Sequence, residues 1–258
     1  MSRAVHAEWT KLRTVAGNGW LLLAVVVVTV GLSVGVLAAT TCSAAGCGQD
    51  PVKISLTGIY LGQAVVAILG VAAMGGEYGT GLIRITLTAV PDRFVVLAAK
   101  AVVLIGVVLV AGVGAEVGSV IAGRLMLPGN GFTESRGYPM LSLTDGPTLR
   151  ATVGSILYLV LIALLSLGVA SAVRDSATAV GIVLGLLYLF PIITQMINDP
   201  EWQRHLKQIG PMSAGLAVQA TVGVAELPIA PWTGLAVLAA WAAVALGIGG
   251  ALFRLRDA

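Results

Sequence analysis

Six segments of this 258-residue chain are long and apolar enough to cross a lipid bilayer. A helix that crosses the hydrocarbon core needs about 20 mostly apolar residues, because about 30 Å is covered at about 1.5 Å per residue. The predicted spans are 19–40, 57–74, 94–122, 152–173, 177–197 and 232–253. The first is longer than the apolar core of a signal peptide, so it is expected to be an anchor. The sequence predicts an all-α polytopic membrane protein with six transmembrane helices, forming a single domain over 1–258.

The composition excludes several other classes of protein. The chain is 57% hydrophobic and only 10% charged, whereas a soluble domain is about 25% charged because its exterior must be wetted. Disordered chains are poor in apolar residues, which excludes that class too. The 15 Lys and Arg are offset by 12 Asp and Glu, and 5% of the residues are aromatic. Clustered cations and stacking aromatics of a nucleic-acid binder are therefore missing, and no nucleic-acid partner is expected.

Basic residues outside the predicted spans are distributed unevenly across the membrane. The side that would hold both termini carries eight Lys and Arg in 45 residues, against six in 79 residues on the other side. Cytoplasmic loops of membrane proteins carry the excess of Lys and Arg. Both termini are therefore predicted to be cytoplasmic.

The two cysteines lie close together in the first predicted outer loop. Cys42 and Cys47 are separated by four small residues. Outside a cell membrane the compartment is oxidising, which favours a disulfide between them. Two free thiols without a role are the alternative.

The N-terminal segment 1–18 is predicted to form an amphipathic helix. Val5, Trp9, Leu12 and Ala16 recur at helical spacing and share one face. The other faces carry the polar side chains Arg3, His6, Lys11 and Arg13. Such a helix is expected to lie on the inner leaflet, where its cations meet anionic lipid. The residues assigned to this interfacial contact are Trp9, Lys11, Leu12 and Arg13.

The outer loop 198–231 is also predicted to contain short helices. Trp202, Leu206 and Ile209 share an apolar face in a helix that begins at Pro200. The apolar stretch 212–224 that follows is too short to span, so re-entrant or interfacial packing is expected.

The chain lacks the groups that mark an ATPase or a metalloenzyme. Its two histidines, His6 and His205, fall on opposite predicted sides of the membrane, so no His-based metal site is expected. No lysine follows a glycine, so the GxxxxGK phosphate-binding loop is absent from the sequence. The chain is predicted to have no catalytic residue and no cofactor of its own.

Glu116 is the one carboxylate inside a predicted span. Ionisable groups in lipid are costly and suggest a proton relay or a substrate contact. Glu116 lies 16 residues beyond Lys100, about 24 Å along a helix, so it could instead reach the outer headgroups and be wet. Gln63 and Gln195, also in spans, are expected to form interhelical hydrogen bonds.

Glycines spaced four apart in the spans predict close helix packing, because small residues let backbones approach in lipid. The pairs are Gly58 and Gly62, Gly114 and Gly118, and Gly181 and Gly185.

The segment 77–93 joins the second and third spans on the predicted inner side. Gly79 and Gly81 suit a turn, and 82–89 can form a short helix that Pro91 ends. A short helix here would let a partner move two spans at once. A solvated connector is the alternative.

At this segment the chain resembles the membrane subunit of a bacterial type-2 ABC exporter, the permease that works with a separate ATPase. Three groups of residues carry the resemblance: Glu8-Trp9-Thr10-Lys11-Leu12-Arg13; Glu77, Gly79, Thr80, Gly81, Arg84, Thr86, Leu87, Pro91, Arg93 and Lys100; and Pro211-Met212-Ser213-Ala214-Gly215. The individual motifs are degenerate, and their order together with the six spans makes the match. It extends over essentially the whole chain.

The resemblance implies a role for each of these segments. The N-terminal arm would be the connecting helix, 77–93 would contain the cytoplasmic coupling helix that docks on the ATPase, and 198–231 would hold the outer re-entrant helices. The residues that would couple to the ATPase are Glu77, Tyr78, Gly79, Thr80, Arg84, Pro91 and Arg93. ATP and Mg would bind on the partner, and a second permease, identical or different, would complete the membrane dimer in the bacterial inner membrane.

The predicted function is therefore export driven by ATP, with an unidentified substrate whose binding residues are unknown. An amphiphilic substrate fits the apolar spans better than a highly charged ion does. Two other classes stay open. One is a proton-coupled secondary transporter that uses Glu116. The other is a membrane immunity or scaffold protein that transports nothing.

Overall fold

The computed structural model describes residues 2–42, 47–82, 86, 88 and 92–255, and in these ranges it is helical and without strands. The α-helices whose two ends lie in these ranges are α1 (Ser2–Thr14), α2 (Ala16–Ala39), α3 (Pro51–Ser55), α4 (Ile59–Thr80), α5 (Arg93–Met126), α6 (Gly146–Val173), α7 (Ser176–Met196), α8 (Pro200–Ile209), α9 (Pro211–Gly215) and α10 (Pro231–Leu255). Short 3-10 helices cover Glu134–Arg136, Leu216–Gln219 and Val224–Glu226. Six helices, α2, α4, α5, α6, α7 and α10, are long and apolar enough to cross a membrane. The predicted all-α fold is confirmed, and the six long apolar helices fit a multi-pass membrane protein.

Aspartate side chains fix where several helices begin. Each accepts hydrogen bonds from free backbone N–H groups of the first turn, which have no partner within the helix. The aspartates that cap α3, α5, α7 and α8 are Asp50, Asp92, Asp175 and Asp199. Between α6 and α7, Arg174 has a left-handed backbone with φ 64° and ends α6. The fourth and fifth spans, predicted at 152–173 and 177–197, therefore form a tight hairpin with a two-residue connection.

The observed helices are longer than several predicted spans. The second runs to Thr80 instead of 74, and the fourth begins at Gly146 instead of 152. The segment 77–80, predicted to be a loop, is therefore the last turn of α4. Gly81 ends this helix with a left-handed backbone of φ 72°. The turn therefore begins at Gly81 and not at Gly79, the first of the two glycines that were predicted to form it. Beyond it, Leu82, Thr86 and Thr88 are helical.

α6 is the centre of the bundle. It is the most buried span and packs against α4, α5, α7 and α10, most extensively against α10. The apolar stretches of α2, α7 and α10 are only 22%, 22% and 28% buried within the chain. Apolar helices with so little cover are stable when lipid is their solvent.

Glycines bring some helix pairs into backbone contact. A Cβ added to Gly168 of α6 would lie 2.5 Å from the Ala245 carbonyl carbon of α10, and one on Gly58 would lie 1.8 Å from the Thr29 carbonyl oxygen of α2. Gly62 and Gly118 also pack tightly on α2, as predicted. The prediction for Gly181 and Gly185 was wrong, because nothing lies within 4 Å of an added Cβ at either position.

The bundle has two distinct ends. One end, which we call the terminal end, is where α5 begins and α10 ends. There Arg93 of α5 donates a hydrogen bond to the Phe253 carbonyl of α10, 2.6 Å away. At the other end, the loop end, Cys42 and Cys47 form a disulfide with Cα atoms 5.9 Å apart. Asp50 accepts hydrogen bonds there from Thr221 and Val222. The connections at the loop end are thus fastened to each other.

The loop 198–231 contains the short helices α8 and α9 and two 3-10 turns. α8 is amphipathic and has no buried residue, whereas α9 and the following turn are largely buried. Trp241 of α10 donates through Nε1 to the Ile209 carbonyl at 3.0 Å, which holds the end of α8 on the bundle.

Candidate functional site

The side of α1 that packs on the bundle differs from the predicted apolar stripe. Ala4 and Glu8 are buried, and Leu12 packs against the core, whereas Trp9 is 47% exposed. Residues 4, 8, 11 and 12 lie on one face of the helix. The helix is therefore held by a face that includes a carboxylate, and Trp9 is turned away from the bundle.

Glu8 and Glu77 converge on the buried ammonium of Lys100. Lys100 Nζ lies 2.7 Å from Glu8 Oε2 and 2.7 Å from Glu77 Oε1, and donates to the Ala73 carbonyl at 3.0 Å. The Lys100 side chain is 2% exposed. A lysine at this depth is tolerated because charge and hydrogen bonds are both compensated.

Lys11 closes the arrangement from α1. Its Nζ lies 2.9 Å from Glu8 Oε1 and 2.8 Å from Glu77 Oε1, and donates to Thr86 Oγ1 at 3.0 Å. The charges alternate around a closed ring, Lys100–Glu8–Lys11–Glu77, which we call the four-charge ring. It joins α1, α4 and α5 to each other, and Lys11 extends it to Thr86 in the segment 82–88.

Every donor of the four-charge ring is used. An ammonium has three N–H donors, and Lys11 and Lys100 each donate to three acceptors. Both oxygens of Glu8 accept, and Glu77 Oε1 accepts twice. Glu77 Oε2 is buried and has no hydrogen-bond partner. The ring is electrically balanced, and it leaves one acceptor unsatisfied.

Lys11 keeps its proton under all ordinary conditions. Desolvation by burial lowers its pKa, but the hydrogen bonds and charges of Glu77 and Glu8 outweigh this and raise the pKa of Lys11 above the usual 10.5. A group whose pKa is raised by folding stabilises the fold while it is protonated. This stabilisation is lost only as the pH rises through the raised pKa. The ring contact of Lys11 is therefore constant across physiological pH.

A cavity of about 450 Å³ lies between α1, the start of α2, α4 and α5. All four residues of the ring are among those that line it. Apolar side chains that line it include Leu12, Val15, Ala72, Leu82, Val103 and Leu104. Thr14 and Asn18 add polar side chains to the lining beyond the ring. The volume of the cavity is that of small-molecule sites.

The remaining residues assigned to ATPase coupling lie in different places. Tyr78 is half-buried in α4, with Arg174 stacked on its ring at 5.4 Å, and Gly79 is exposed. Thr80 ends α4, and Arg93 begins α5 with its guanidinium 5.6 Å from the Phe253 ring. Arg84 and Pro91 lie outside the described residues. Of the interfacial set, Arg13 is exposed, whereas Lys11 and Leu12 face the bundle.

Sequence reasoning missed the association of Glu8 with Lys100. Both were noted as parts of a family resemblance, and 92 residues separate them. The available signal was chemical, since a lysine within an apolar span requires a carboxylate partner. Glu8, on an otherwise amphipathic helix, was one of the few acidic residues that could supply it.

Glu116 is also buried, without compensation. It is fully buried on α5, and neither of its carboxyl oxygens has a hydrogen-bond partner. The expectation of a wet position at the headgroups was therefore wrong. Gln63 behaves as predicted and accepts from the Tyr158 hydroxyl of α6, whereas Gln195 is exposed near the end of α7.

We expect Glu116→Leu to raise the free energy of unfolding by about 1–3 kcal/mol, because it removes buried polar atoms that have no partner. Chemical unfolding in lipid bicelles measures the change. Glu134→Leu, at an exposed position of the loop end, is the control and should stay within about 0.5 kcal/mol of the parent. A loss of stability in Glu116→Leu would show that the carboxyl has a stabilising partner.

Comparison of the chain with protein-family models and with curated proteins finds no match in either set. The functional argument therefore rests on the chain's own residues.

Proposed function

We propose that this chain is the membrane-spanning permease of an ATP-driven exporter of the type-2 ABC class, moved by a separate ATPase subunit. The four-charge ring is the observation that carries the proposal. It links Thr86, in the segment where an ATPase would dock, to α1 through Lys11 and to α5 through Lys100. A displacement of that segment would be transmitted to three helices together.

Each short helix takes a role in this proposal. The helical residues between 82 and 88 belong to the cytoplasmic coupling helix, α1 is the interfacial connecting helix, and α8 and α9 are the outer re-entrant pair. The terminal end then faces the cytoplasm. A second permease subunit, identical or different, pairs with this one, and ATP with Mg binds only on the partner ATPases.

In this mechanism the ring positions the moving parts and takes part in no chemistry. ATP acts through its different affinity for two arrangements of the ATPase pair, which is the only way a ligand shifts a conformational equilibrium. To shift the population ratio of the two arrangements from about 1:99 to about 99:1, ATP must bind the favoured arrangement more tightly by about 5.5 kcal/mol. Glu77 is 7% exposed and works inside the ring, so its contribution to coupling is indirect.

Single-cysteine labelling tests the coupling, since the chain's two cysteines are bonded to each other. Ile121→Cys places a thiol on the exposed side of α5 towards the loop end. In membranes that contain the ATPase, we expect ATP to change its alkylation rate at least threefold. Adding Lys11→Met should abolish that change, because the ring opens at Thr86 and Glu8.

Lys53→Met is the matched control, because Lys53 is exposed at the loop end and lies outside the ring. It should leave the ATP response intact. Labelling that ignores ATP in the parent, or an ATP response that survives Lys11→Met, would contradict the proposed coupling.

A proton-coupled secondary transporter is the second candidate, because Glu116 is a fully buried carboxyl without a partner. That function would make transport follow a proton gradient without ATP. It would be lost in Glu116→Gln, whereas the ATP-driven function would survive this substitution.

A further inference from the structure

A second cavity, of about 410 Å³, lies at the terminal end between the start of α5 and the end of α10. Asp92, Arg93 and Phe94 line it at the start of α5, and Arg254 lines it from α10. The two long apolar helices that meet here run over Arg93–Met126 and Pro231–Leu255, so both end at this level. In a bilayer the cavity would therefore lie at the depth of the lipid headgroups.

Aromatic rings hold the two arginines beside this cavity. The guanidinium carbon of Arg93 lies 5.6 Å from the centre of the Phe253 ring, and that of Arg254 lies 5.7 Å from the centre of the Phe94 ring. Each arginine therefore stacks on a ring of the other helix, which ties α5 to α10. A guanidinium that is already positioned loses less conformational freedom on binding, and its planar shape matches a phosphate group.

The charge of the lining favours an anion. The described residues around the cavity are two arginines, one aspartate and a phenylalanine, which gives a net charge of +1. Asp92 is partly used by the protein, because its Oδ1 accepts from the backbone N–H groups of Phe94 and Val95. The positive end of the α5 dipole adds to the arginines. A ligand with one net negative charge therefore fits better than a zwitterion or a cation.

A strip of small residues leads away from Arg254 along the surface of α10. Ala251, Gly247 and Ala243 lie on the same helix face as Arg254 and are all exposed. Nothing lies within 4 Å of a Cβ added to Gly247. Phe94 is 51% exposed on the α5 side. An acyl chain can lie along such an apolar surface, whereas a free phosphate ion would make no use of it.

We propose that this cavity binds the headgroup of an anionic phospholipid that carries one phosphate, as phosphatidylglycerol does. The phosphate contacts the guanidinium groups of Arg254 and Arg93, and an acyl chain lies along α10. Hydrogen bonds between arginine and phosphate are strong because both partners are charged. Basic pockets between spans are a common means of binding anionic lipid heads. The site requires only this chain, so it stands or falls independently of the ATPase partner.

Native mass spectrometry of the purified chain in detergent tests the headgroup preference. The chain is given equal amounts of phosphatidylglycerol and phosphatidylcholine with the same acyl chains. We expect phosphatidylglycerol to be retained at least fivefold more, because the choline cation cancels the charge of its phosphate. Equal retention would overturn the proposal. Inorganic phosphate in excess should leave the lipid bound, and displacement by phosphate would identify a site for a free ion instead.

Two exposed arginines provide a matched pair of variants. Arg254→Met removes a cation that lines the cavity, whereas Arg204→Met removes one from α8. Arg254→Met should lower the retention of phosphatidylglycerol at least threefold, and Arg204→Met should retain it as the parent does. Equal retention in the two variants would place the lipid elsewhere.

Asp92→Asn gives a change in the opposite direction. The amide oxygen can still accept from the N–H groups of Phe94 and Val95, so the start of α5 keeps its cap. The net charge of the described lining rises from +1 to +2. We expect the retention of phosphatidylglycerol to rise at least twofold. Unchanged or lower retention would contradict the proposed role of charge, even if Arg254→Met does not fold.

Discussion

Lys100→Met should lower the free energy of unfolding by about 3–5 kcal/mol, the cost of removing one partner from a buried ion pair. The substitution keeps the length of the side chain but leaves Glu8 and Glu77 with a single ammonium between them. It also leaves Glu8 Oε2 and the Ala73 carbonyl without their donor. Unfolding in bicelles, followed by tryptophan fluorescence, measures the change.

A charge-balanced double variant distinguishes the ring from simple loss of packing. Lys100→Met with Glu8→Gln restores one cation to one anion, so it should recover at least about 1 kcal/mol of the loss. The exposed Lys53→Met should change stability by no more than about 0.5 kcal/mol. A single Lys100→Met variant as stable as the parent would mean that the ring contributes nothing to the fold.

Gly249→Ala should lower the free energy of unfolding by about 1–3 kcal/mol, the usual cost of overpacking. The added Cβ would lie 2.3 Å from the Gly168 carbonyl oxygen and 2.0 Å from Ser171 Oγ. The serine hydroxyl can rotate away, but the backbone carbonyl cannot. α6 and α10 must therefore separate, and this is the most extensive helix contact in the described bundle.

Gly247→Ala is the matched control on the same helix, because nothing lies within 4 Å of its added Cβ. Alanine is also the better helix former, by about 1 kcal/mol. Gly247→Ala should therefore be neutral or stabilising. Equal losses in the two variants would show that helix propensity, and not the approach of α6 and α10, determines the effect.

The spans were predictable from the sequence because lipid imposes a length and an apolar composition that few other structures share. The hairpin at Arg174 was predictable for the same reason, since the segment between the two apolar runs there is only a few residues long. The continuation of α4 to Thr80 was not visible. Glycines that suit a turn are also tolerated in a helix, and Gly79 remained helical while Gly81 ended the helix.

The sequence identified residues of the candidate site, but it could not predict which of them contact each other. Periodicity placed Trp9 on the apolar face of α1, but it did not reveal the second face, on which Glu8 and Lys11 reach Lys100 and Glu77. Local pattern could not reveal these contacts, since the partners come from three separate segments. The contact between Gly168 and Gly249 was not predicted either, because the two glycines lie on different helices and no fixed spacing in the sequence relates them.

Photo-crosslinking at Leu82 tests the central claim most directly. A benzophenone residue at this exposed position, in the segment linked to the four-charge ring, should capture an ATP-hydrolysing subunit without spans when the chain is expressed in its native membrane. The same residue at Trp202, exposed on α8, should capture none. Failure to capture an ATPase at Leu82, together with active transport by the purified chain alone in vesicles, would contradict the proposal that a separate ATPase moves this protein.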